Sequence, residues 1–594
     1  MTLEPREIAV RAYVVHKSRS EGKPSLLHDT LPNRSIVCGV DAETTADLYH
    51  NLAFGSFGVW LAGRLHRFVI FHSNKLAGDK LRVLKKHAEK QTVQNVVIEL
   101  MPISQFIDEV FYPYVYDARA TLVGFNLPFD LSRLASSYGY GRGRWRGGFT
   151  FTLSRNRFRP PIHIKSLDST KAFIEFARPP KRNQRHPKPH YKGCFIDLRT
   201  LGFALTNEKL TLEWGCELFQ TEQRKRSAKE HGAITPEYVD YNVNDNQSTH
   251  DLYIKMIERY NLFHLDLPAE KAYSPASLGK QYLRQMGIKP FLVRNPGFSP
   301  AVLGQIMTTY YGGRSEVRIR KRPVKVRYMD FTSMYTALFS LMNLWRYVIA
   351  GRIECIDATH EIRRLVKKTD LQTLRDPALW LDMIAVVQIQ PDEDVLPVRS
   401  HYGDKHVYNI GINYITSTEP LWYALPDILA SKILAGKSPK ILRAIKFTPF
   451  GIQPGLIAIK IVGDYVVSPE DNLFHRLIEL RKRAQRESDG KAKDSPENQM
   501  LNTLQQELKT VANSASYGIF IEVNTEHENC DVHVYGSEHF KARVSKRENF
   551  GTFFHPLIAT ILTSGARLLL AMAESWLTKR GCLLYTSPSP TRPY

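Results

Sequence analysis

Three consecutive segments near the N-terminus read RSIVCGVDAETT from Arg34, FGSFGVWLAG from Phe54 and RLHRFVIFH from Arg64. Their alternation and their β-branched and aromatic content suit the strands of one sheet. The first of them carries two acids, Asp41 and Glu43. Residues two apart on a strand point to the same face, so both carboxylates can serve one cation. Taken alone, a D-x-E pair on a strand is a weak signal, and only its order with later acids gives it weight. That order constrains the fold more than any other feature.

The elements that follow can supply partners for that pair. Residues 77–110 are predicted to be helical, and TLVGFN (121–126) is predicted to be a short strand. Pro128 then starts a helix running through LSRLA, since proline is well placed in a first helical turn. Asn126 and Asp130 fall at its start. Residues 236–262 form a longer predicted helix, on which Tyr241 and Asp245 share a face at the i, i+4 spacing. Taken singly, each residue has a structural reading as well: Asp130 as a helix cap, Asp245 as part of a solvated face.

A chain of 594 residues is too long for a single core, and two to four domains are expected. The formal net charge of +22 points to a polyanionic partner, with a solvated basic surface as the alternative. The stretch 141–192 is the most basic. Its lysines and arginines far outnumber Asp168 and Glu175, and they alternate with Trp145, Phe149, Phe151, Phe158 and Tyr191. Charge for phosphates and rings for unstacked bases suit single-stranded nucleic acid. A twisted hairpin with a solvated basic face is the other reading, and both stay open.

The six cysteines are widely separated with no paired motif, which argues against a zinc site and a disulfide framework and for a reducing, intracellular setting. The N-terminal residues lack the apolar core of a secretory signal. The apolar stretch HPLIATILTSGARLLLAMAESWL is interrupted by Arg567 and Glu574. It is expected to be a buried amphipathic helix rather than a membrane span.

The order D-x-E (Asp41, Glu43), N-x-x-F-D (Asn126, Phe129, Asp130) and Y-x-x-x-D (Tyr241, Asp245) resembles the three motifs of DEDDy-type 3′→5′ exonucleases. Between the second and third lies Thr200-Leu201-Gly202-Phe203-Ala204, similar to the motif such domains use on the primer end. The resemblance implies that Asp41, Glu43, Asp130 and Asp245 hold two Mg²⁺ or Mn²⁺ ions and that Tyr241 orients the attacking water. Thr44, Asn126, Phe129, Thr200 and Leu201 would hold the single strand. Carboxylates are the ligands such hard cations prefer.

Further along, Asp330-Phe331-Thr332-Ser333-Met334-Tyr335 resembles motif A of family B DNA polymerases, with Thr336 where proline is usual. Lys509-Thr510-Val511-Ala512-Asn513-Ser514-Ala515-Ser516-Tyr517-Gly518 resembles motif B, with one extra residue before the tyrosine. Lys509, Asn513 and Tyr517 still fall near one helical stripe. By this resemblance Asp330 anchors a metal in a second two-ion site and Tyr335 packs under the sugar. Arg481 and Lys509 meet the triphosphate, and Asn513 and Tyr517 line the base-pair pocket. Tyr310-Tyr311-Gly312-Gly313-Arg314 resembles the Y-x-G-G motif, implying that Tyr311, Gly312, Gly313 and Arg314 touch DNA; a tight turn is the alternative. EVRIRKRPVKVRYMD (316–330) alternates as a strand with one basic face would, and 471–518 is expected to be a helical hairpin.

The implied fold is α/β and α+β multidomain. An RNase H-like exonuclease domain (1–265) is followed by a linker with the Y-x-G-G motif (266–320), a palm (321–470), helical fingers (471–525) and the start of a palm return (526–581). Residues 582–594 resemble a non-native tail. No D-T-D motif follows Gly518, so the palm is expected to be incomplete and the thumb missing. The implied function is a DNA-directed DNA polymerase with proofreading exonuclease, of the organellar, viral and plasmid type. Its partners would be primer-template DNA, single-stranded DNA and dNTPs, with a terminal-protein primer left open and no membrane. A DNA exonuclease with a polymerase-like gripping domain is the alternative.

Affinity for DNA should fall by about 100-fold or more between low and moderate salt, because phosphate contacts release counterions. A salt titration of fluorescence anisotropy with a labelled oligonucleotide measures this, and a flat profile would contradict the reading.

Overall fold

The computed structural model describes residues 7–16, 30–178, 190–223, 232–314, 316, 319, 321–331, 333–401, 408–493 and 495–584. Thr332, part of the basic stretch and nearly all of the proposed tail lie outside them. The chain divides into two compact units. The first comprises Glu21–Leu278 with Val462–Asp464, and the second Met1–Ser20, Gly279–Ile461 and Tyr465–Tyr594. Each mixes helices with sheets, so the fold is mixed α/β and multidomain.

In the first unit the three alternating segments form β1 (Asn33–Thr44), β2 (Leu52–Leu61) and β3 (Arg64–His72), an antiparallel set. Helix α1 (Gly78–Lys90) follows, then β4 (Thr92–Val93) and β5 (Val96–Pro102). The expected helix over 77–110 is therefore interrupted by these two strands and resumes over Ile103–Phe106 and Ile107–Asp117. Gln94 and Asn95 both take positive φ, 49° and 64°, which closes a two-residue hairpin. Val96 and Val97 pair back on β4, and Ile98–Pro102 continue as a strand parallel to β3.

Strand β6 (Ala120–Gly124) leads into α2 (Leu127–Leu134), close to the expected bounds. A four-stranded antiparallel sheet follows, with β7 (Ser137–Tyr140), β8 (Phe149–Thr152), β9 (Ile162–Ser166) and β10 (Ala172–Phe176) in sequence order across it. Strand β11 (Cys194–Asp197) runs into α3 (Leu198–Thr206), and α4 (Pro236–Asn261) is the long helix. Thr235 caps α4 by accepting the Tyr238 amide, and Pro236 begins it.

The main sheet has the order β11-β6-β1-β2-β3-β5-β4, with β6 and β11 parallel to β1. It is apolar on both faces. Cys38, Val40, Phe57, Val59 and Phe71 join Phe106, Phe111 and Leu131 on one side. Phe54, Phe68 and Ile70 join Leu84, Tyr238 and Val239 on the other. Asp41 and Glu43 alternate with Val40 and so belong to the face that α4 covers.

In the second unit α5 (Met334–Leu341) precedes a sheet of β12 (Ala350–Asp357), β13 (Ala385–Gln390), β14 (Leu421–Ala424) and β15 (Lys440–Ile452) in the order β12-β15-β13-β14. Helix α6 (Leu425–Ala435) lies between β14 and β15 in the chain. The expected helical hairpin is present as α7 (Leu473–Asp489) and α8 (Pro496–Ser516), capped by Asn472 and Ser495. Helix α9 (Pro556–Thr578) is long and apolar enough to cross a membrane, but most of it is buried inside the unit against α5 and α6. Its Arg567 is 2% exposed and forms a two-pronged ion pair with Asp427 of α6, at 2.7 Å through both nitrogens. The strand Tyr13–His16 pairs with Cys530–Tyr535.

One expectation fails. The described part of 316–330 has no strand, and Val324, Val326 and Tyr328, which would share a face, are exposed. Alternation produces a strand only where a neighbour takes up the backbone N–H and C=O groups. Among the described residues no strand pairs with this one.

His555, at the start of α9, is 2% exposed and stacks on Phe291 with ring centroids 4.2 Å apart. Burial, reinforced by Arg294, pushes its pKa down to about 3. An unfolded histidine titrates near 6.5, so below that pH the unfolded chain binds the extra proton and the folded unit loses stability down to about pH 3. His555→Phe should reduce this acid loss by on the order of a few kcal/mol. Urea melts of both proteins at pH 7.5 and 4.5 compare them, and parallel losses would contradict the assignment.

Candidate functional site

The carboxylates of the first unit meet where β1 runs beneath α4. The helix seats on the strand through a polar stripe at Tyr238, Asn242 and Asn246. Asn246 donates to the carbonyls of Gly39 and Ser56 at 3.2 and 2.9 Å. Gly39 makes this approach possible, because a Cβ there would lie 2.8 Å from the Asn246 Oδ1 and 3.1 Å from Trp60. Asn242 donates to the Asp41 Oδ2 at 2.5 Å, and the Tyr238 hydroxyl donates to Glu43. One turn along, Tyr241 hydrogen-bonds Asp245, and burial beside these carboxylates holds its phenol well above the usual range.

Asp130 enters from α2. It is 3% exposed and accepts the Ala42 amide at 3.1 Å. Burial, with Asp197 and Glu43 nearby, raises its pKa well above the normal carboxylate range. Asp197, at the end of β11, accepts the Asn126 and Leu127 amides at 2.9 and 3.2 Å and the Thr200 hydroxyl at 2.8 Å. It thereby fixes the turn in which Asn126 takes a φ of 79°. Burial raises the Asp197 pKa as well.

Asp41, Glu43, Asp130, Tyr241 and Asp245 are thus one neighbourhood of acids and a phenol. Thr44 is half-buried at the end of β1, and Phe129 is partly exposed with the Arg133 guanidinium 5.1 Å from its ring centroid. Leu201 is buried, and the Thr200 hydroxyl is taken up by Asp197 and the Thr170 carbonyl. Tyr238, Asn242, Asn246 and Asp197 are additions that sequence reasoning missed. Their signal was the Tyr-x-x-x-Asn-x-x-x-Asn stripe on α4, parallel to Tyr241 and Asp245.

The donor set suits a hard cation. Asp130, Asp197 and Asp245 are buried, and burial, with Asp197 and Glu43 adding to it, raises the Asp130 pKa. Among the described residues no three acidic, histidine or cysteine side chains converge tightly enough to chelate an ion as they stand. Asp41 and Glu43 are turned toward Asn242 and Tyr238, so loading would require those two hydrogen bonds to be exchanged.

The second unit gathers the other sequence candidates. The Tyr335 ring of α5 stacks on Tyr517 just after α8, with centroids 5.0 Å apart and planes 6° from parallel. The Tyr517 and Tyr310 hydroxyls are 2.5 Å apart. A Cβ at Gly313 would lie 3.6 Å from the Tyr335 hydroxyl, so this backbone runs beside the ring. Arg481 of α7 donates to the Ser333 hydroxyl, and burial draws its pKa down. Lys509 and Asn513 are exposed and Tyr517 half-buried along one stripe of α8.

Asp330 is exposed on the unpaired segment before α5. Tyr311 is buried against Tyr423 with ring centroids 5.7 Å apart, and Arg567 donates to the Gly312 carbonyl. Arg314 is bound by Glu316 and Glu574 at 2.8 and 2.6 Å. The side chains of Tyr311 and Arg314 are therefore occupied within the unit rather than offered to solvent.

Fold and sites together define a mixed α/β multidomain protein with a carboxylate cluster in one unit and an aromatic, basic cluster in the other. No protein-family model matches the sequence, and no curated protein matches it. Among solved structures the fold is similar to that of the Phi29 DNA polymerase complexed with primer-template DNA, at 13% identity and a TM-score of 0.41, covering 93% of this chain and 79% of that one. It is also similar to the family B DNA polymerase of the hyperthermophilic archaeon Pyrobaculum calidifontis, at 13% identity and a TM-score of 0.30. That match covers 96% of this chain and 56% of the archaeal polymerase.

Asn246→Ala would leave the Gly39 and Ser56 carbonyls without their donor and should cost about 1–3 kcal/mol. Urea denaturation followed by tryptophan fluorescence reads the change, and an unaltered midpoint would mean that α4 does not depend on this anchor.

Proposed function

We propose that the chain is a DNA-directed DNA polymerase of the family B type with a DEDDy 3′→5′ proofreading exonuclease. One observation carries the reading. Residues chosen from separate sequence motifs come together in two places, and each place collects the residue types of one reaction. Asp41, Glu43, Asp130, Asp245 and Tyr241 gather in the first unit. Ser333, Tyr335, Arg481 and Tyr517 gather in the second. The sheet order of the first unit, three antiparallel strands followed by parallel β6 and β11, supports an RNase H-like exonuclease domain.

In the exonuclease, Asp41, Glu43, Asp130 and Asp245 would hold two Mg²⁺ or Mn²⁺ ions. Ions bound there would supply charge to the attacking and leaving oxygens of a phosphodiester. Tyr241 orients the attacking water from its place against Asp245. Asn242 and Tyr238 hold Asp41 and Glu43 until ions take over those carboxylates, and Asp197 holds the turn that carries Asn126. Thr44, Asn126 and Phe129 face the terminal nucleotides.

In the synthetic site Asp330 would hold the metal side of a second two-ion pair. Tyr335, braced flat against Tyr517, closes the space beneath the sugar and disfavours a ribose 2′-hydroxyl. Lys509 and Arg481 neutralise the triphosphate, and Asn513 lines the base pair.

Two measurements test this. Asp41→Ala with Glu43→Ala should abolish Mg²⁺-dependent degradation of single-stranded DNA, and EDTA should do the same to the unaltered protein, while DNA binding persists. Nuclease activity that survives the double change would refute the exonuclease. For the synthetic site, a primer-template should raise affinity for the dNTP complementary to the templating base. Lys509→Ala should weaken that affinity by about 10- to 100-fold, consistent with loss of a charged contact worth roughly 1.5–3 kcal/mol. Binding that ignores both template and Lys509 would leave the second unit without its proposed role.

A further inference from the structure

The four-stranded sheet β7–β10 has one face whose role neither site explains. Its register places Tyr138 and Tyr140 opposite Phe151 and Phe149, and these opposite Ile162 and Ile164. Ile164 and Ile162 in turn lie opposite Ile174 and Phe176. All of these side chains share one face. Burial falls steadily across it. Phe176 is 1% exposed and Ile162 fully buried, whereas Phe149 is 41%, Tyr138 68% and Tyr140 79% exposed. The apolar face therefore continues beyond the core as an open platform of rings, with Phe149 5.9–6.0 Å from Tyr140 and Tyr138.

The unpaired charge around the open edge is positive. From Ser137 to Leu167 the chain contains no acidic residue. Arg144 is paired with Glu175 and Arg159 with Asp117. Arg142, Arg146 and Arg155 are exposed and have no carboxylate partner among the described residues, and Arg157 lies over the ring of exposed Phe158. A cationic rim complements a polyanion, and exposed rings offer faces on which bases can stack. Here the exposed groups are flat rings, and the rim is cationic.

We propose that this face is a binding platform for single-stranded DNA, with bases stacking on Tyr138, Tyr140 and Phe149 and the backbone passing the guanidinium groups of Arg142, Arg146 and Arg155. Rings serve this purpose because every base has a π-face, and stacking needs no sequence match. In the chain the platform follows α2, the helix that carries Asp130. The inference rests on the exonuclease reading for its substrate class, but its test does not depend on catalysis.

The experiment is fluorescence anisotropy in EDTA with three labelled probes: an oligothymidylate of about fifteen nucleotides, an abasic strand of equal length and a duplex. The variants are Tyr138→Ser with Tyr140→Ser, and Tyr140→Phe. Tyr138 and Tyr140 are exposed on an edge strand, and circular dichroism checks that the fold is kept. The unaltered protein should bind oligothymidylate more tightly than the abasic strand. The double change should weaken oligothymidylate binding about tenfold or more and leave the abasic strand unaffected, and Tyr140→Phe should retain full affinity. Unchanged oligothymidylate affinity in the double variant would overturn the proposal and leave the platform to a protein partner. Equal losses on oligothymidylate and the abasic strand, or on oligothymidylate and duplex, would overturn it too, since neither is stacking of single-stranded bases. The Asp41→Ala, Glu43→Ala protein separates the two readings. It should keep its preference for bases over abasic backbone even if no nuclease activity is found in any form of the chain.

Discussion

The first unit depends on how closely helix Pro236–Asn261 settles onto strand Asn33–Thr44. Asn246 holds the backbone of Gly39 and Ser56, and the lack of a side chain at Gly39 lets the helix descend that far. The α4 side of the carboxylate cluster follows from this contact. It brings Asn242 to Asp41, Tyr238 to Glu43 and Tyr241 with Asp245 to the same neighbourhood. It also removes the acids from water. Buried carboxylates resist ionisation unless positive charge is supplied.

The second unit is organised around a different buried charge. Arg567 lies in the middle of an apolar helix, and its guanidinium is shared between Asp427 and the Gly312 carbonyl. A buried pair of this kind adds little net stability, but it fixes geometry, because neither ion tolerates losing the other. It ties helix Pro556–Thr578 to helix Leu425–Ala435 and to the glycine turn at once. Tyr310 and Gly313 flank that turn and lead to the Tyr335–Tyr517 stack. The arginine that interrupts the hydropathy of the helix is therefore the residue that positions the aromatic cluster.

Much of this was legible from pattern alone. The strands over 34–72, the helix start at Pro128, the helix over 236–262 and the helical hairpin over 471–518 all have clear period, caps or proline placement, and local signals of this kind survive folding. Two failures are instructive. The helix expected over 77–110 was interrupted by a hairpin at Gln94-Asn95 and a strand that pairs in parallel through Ile98–Pro102, and it resumed at Ile103. The strand expected over 316–330 is absent among the described residues because its alternation found no neighbour. A short apolar period is a request for a partner, and only the rest of the fold can answer it.

The sequence by itself determined which residue types lie on which faces. Asp41 and Glu43 share a side of their strand, Tyr241 and Asp245 share a side of their helix, and Lys509, Asn513 and Tyr517 share a stripe, because helix and strand periods are local properties of the backbone. Tertiary structure alone decided what those faces meet. It showed that Asn242 and Tyr238 hold the carboxylates, that Asp197 fixes the Asn126 turn, and that Tyr311 and Arg314 are occupied internally. It also showed that the apolar face at Tyr138 and Tyr140 is left open. Such pairings join residues far apart in the chain, and no local period encodes which distant group will supply a hydrogen bond, a counter-charge or a cover.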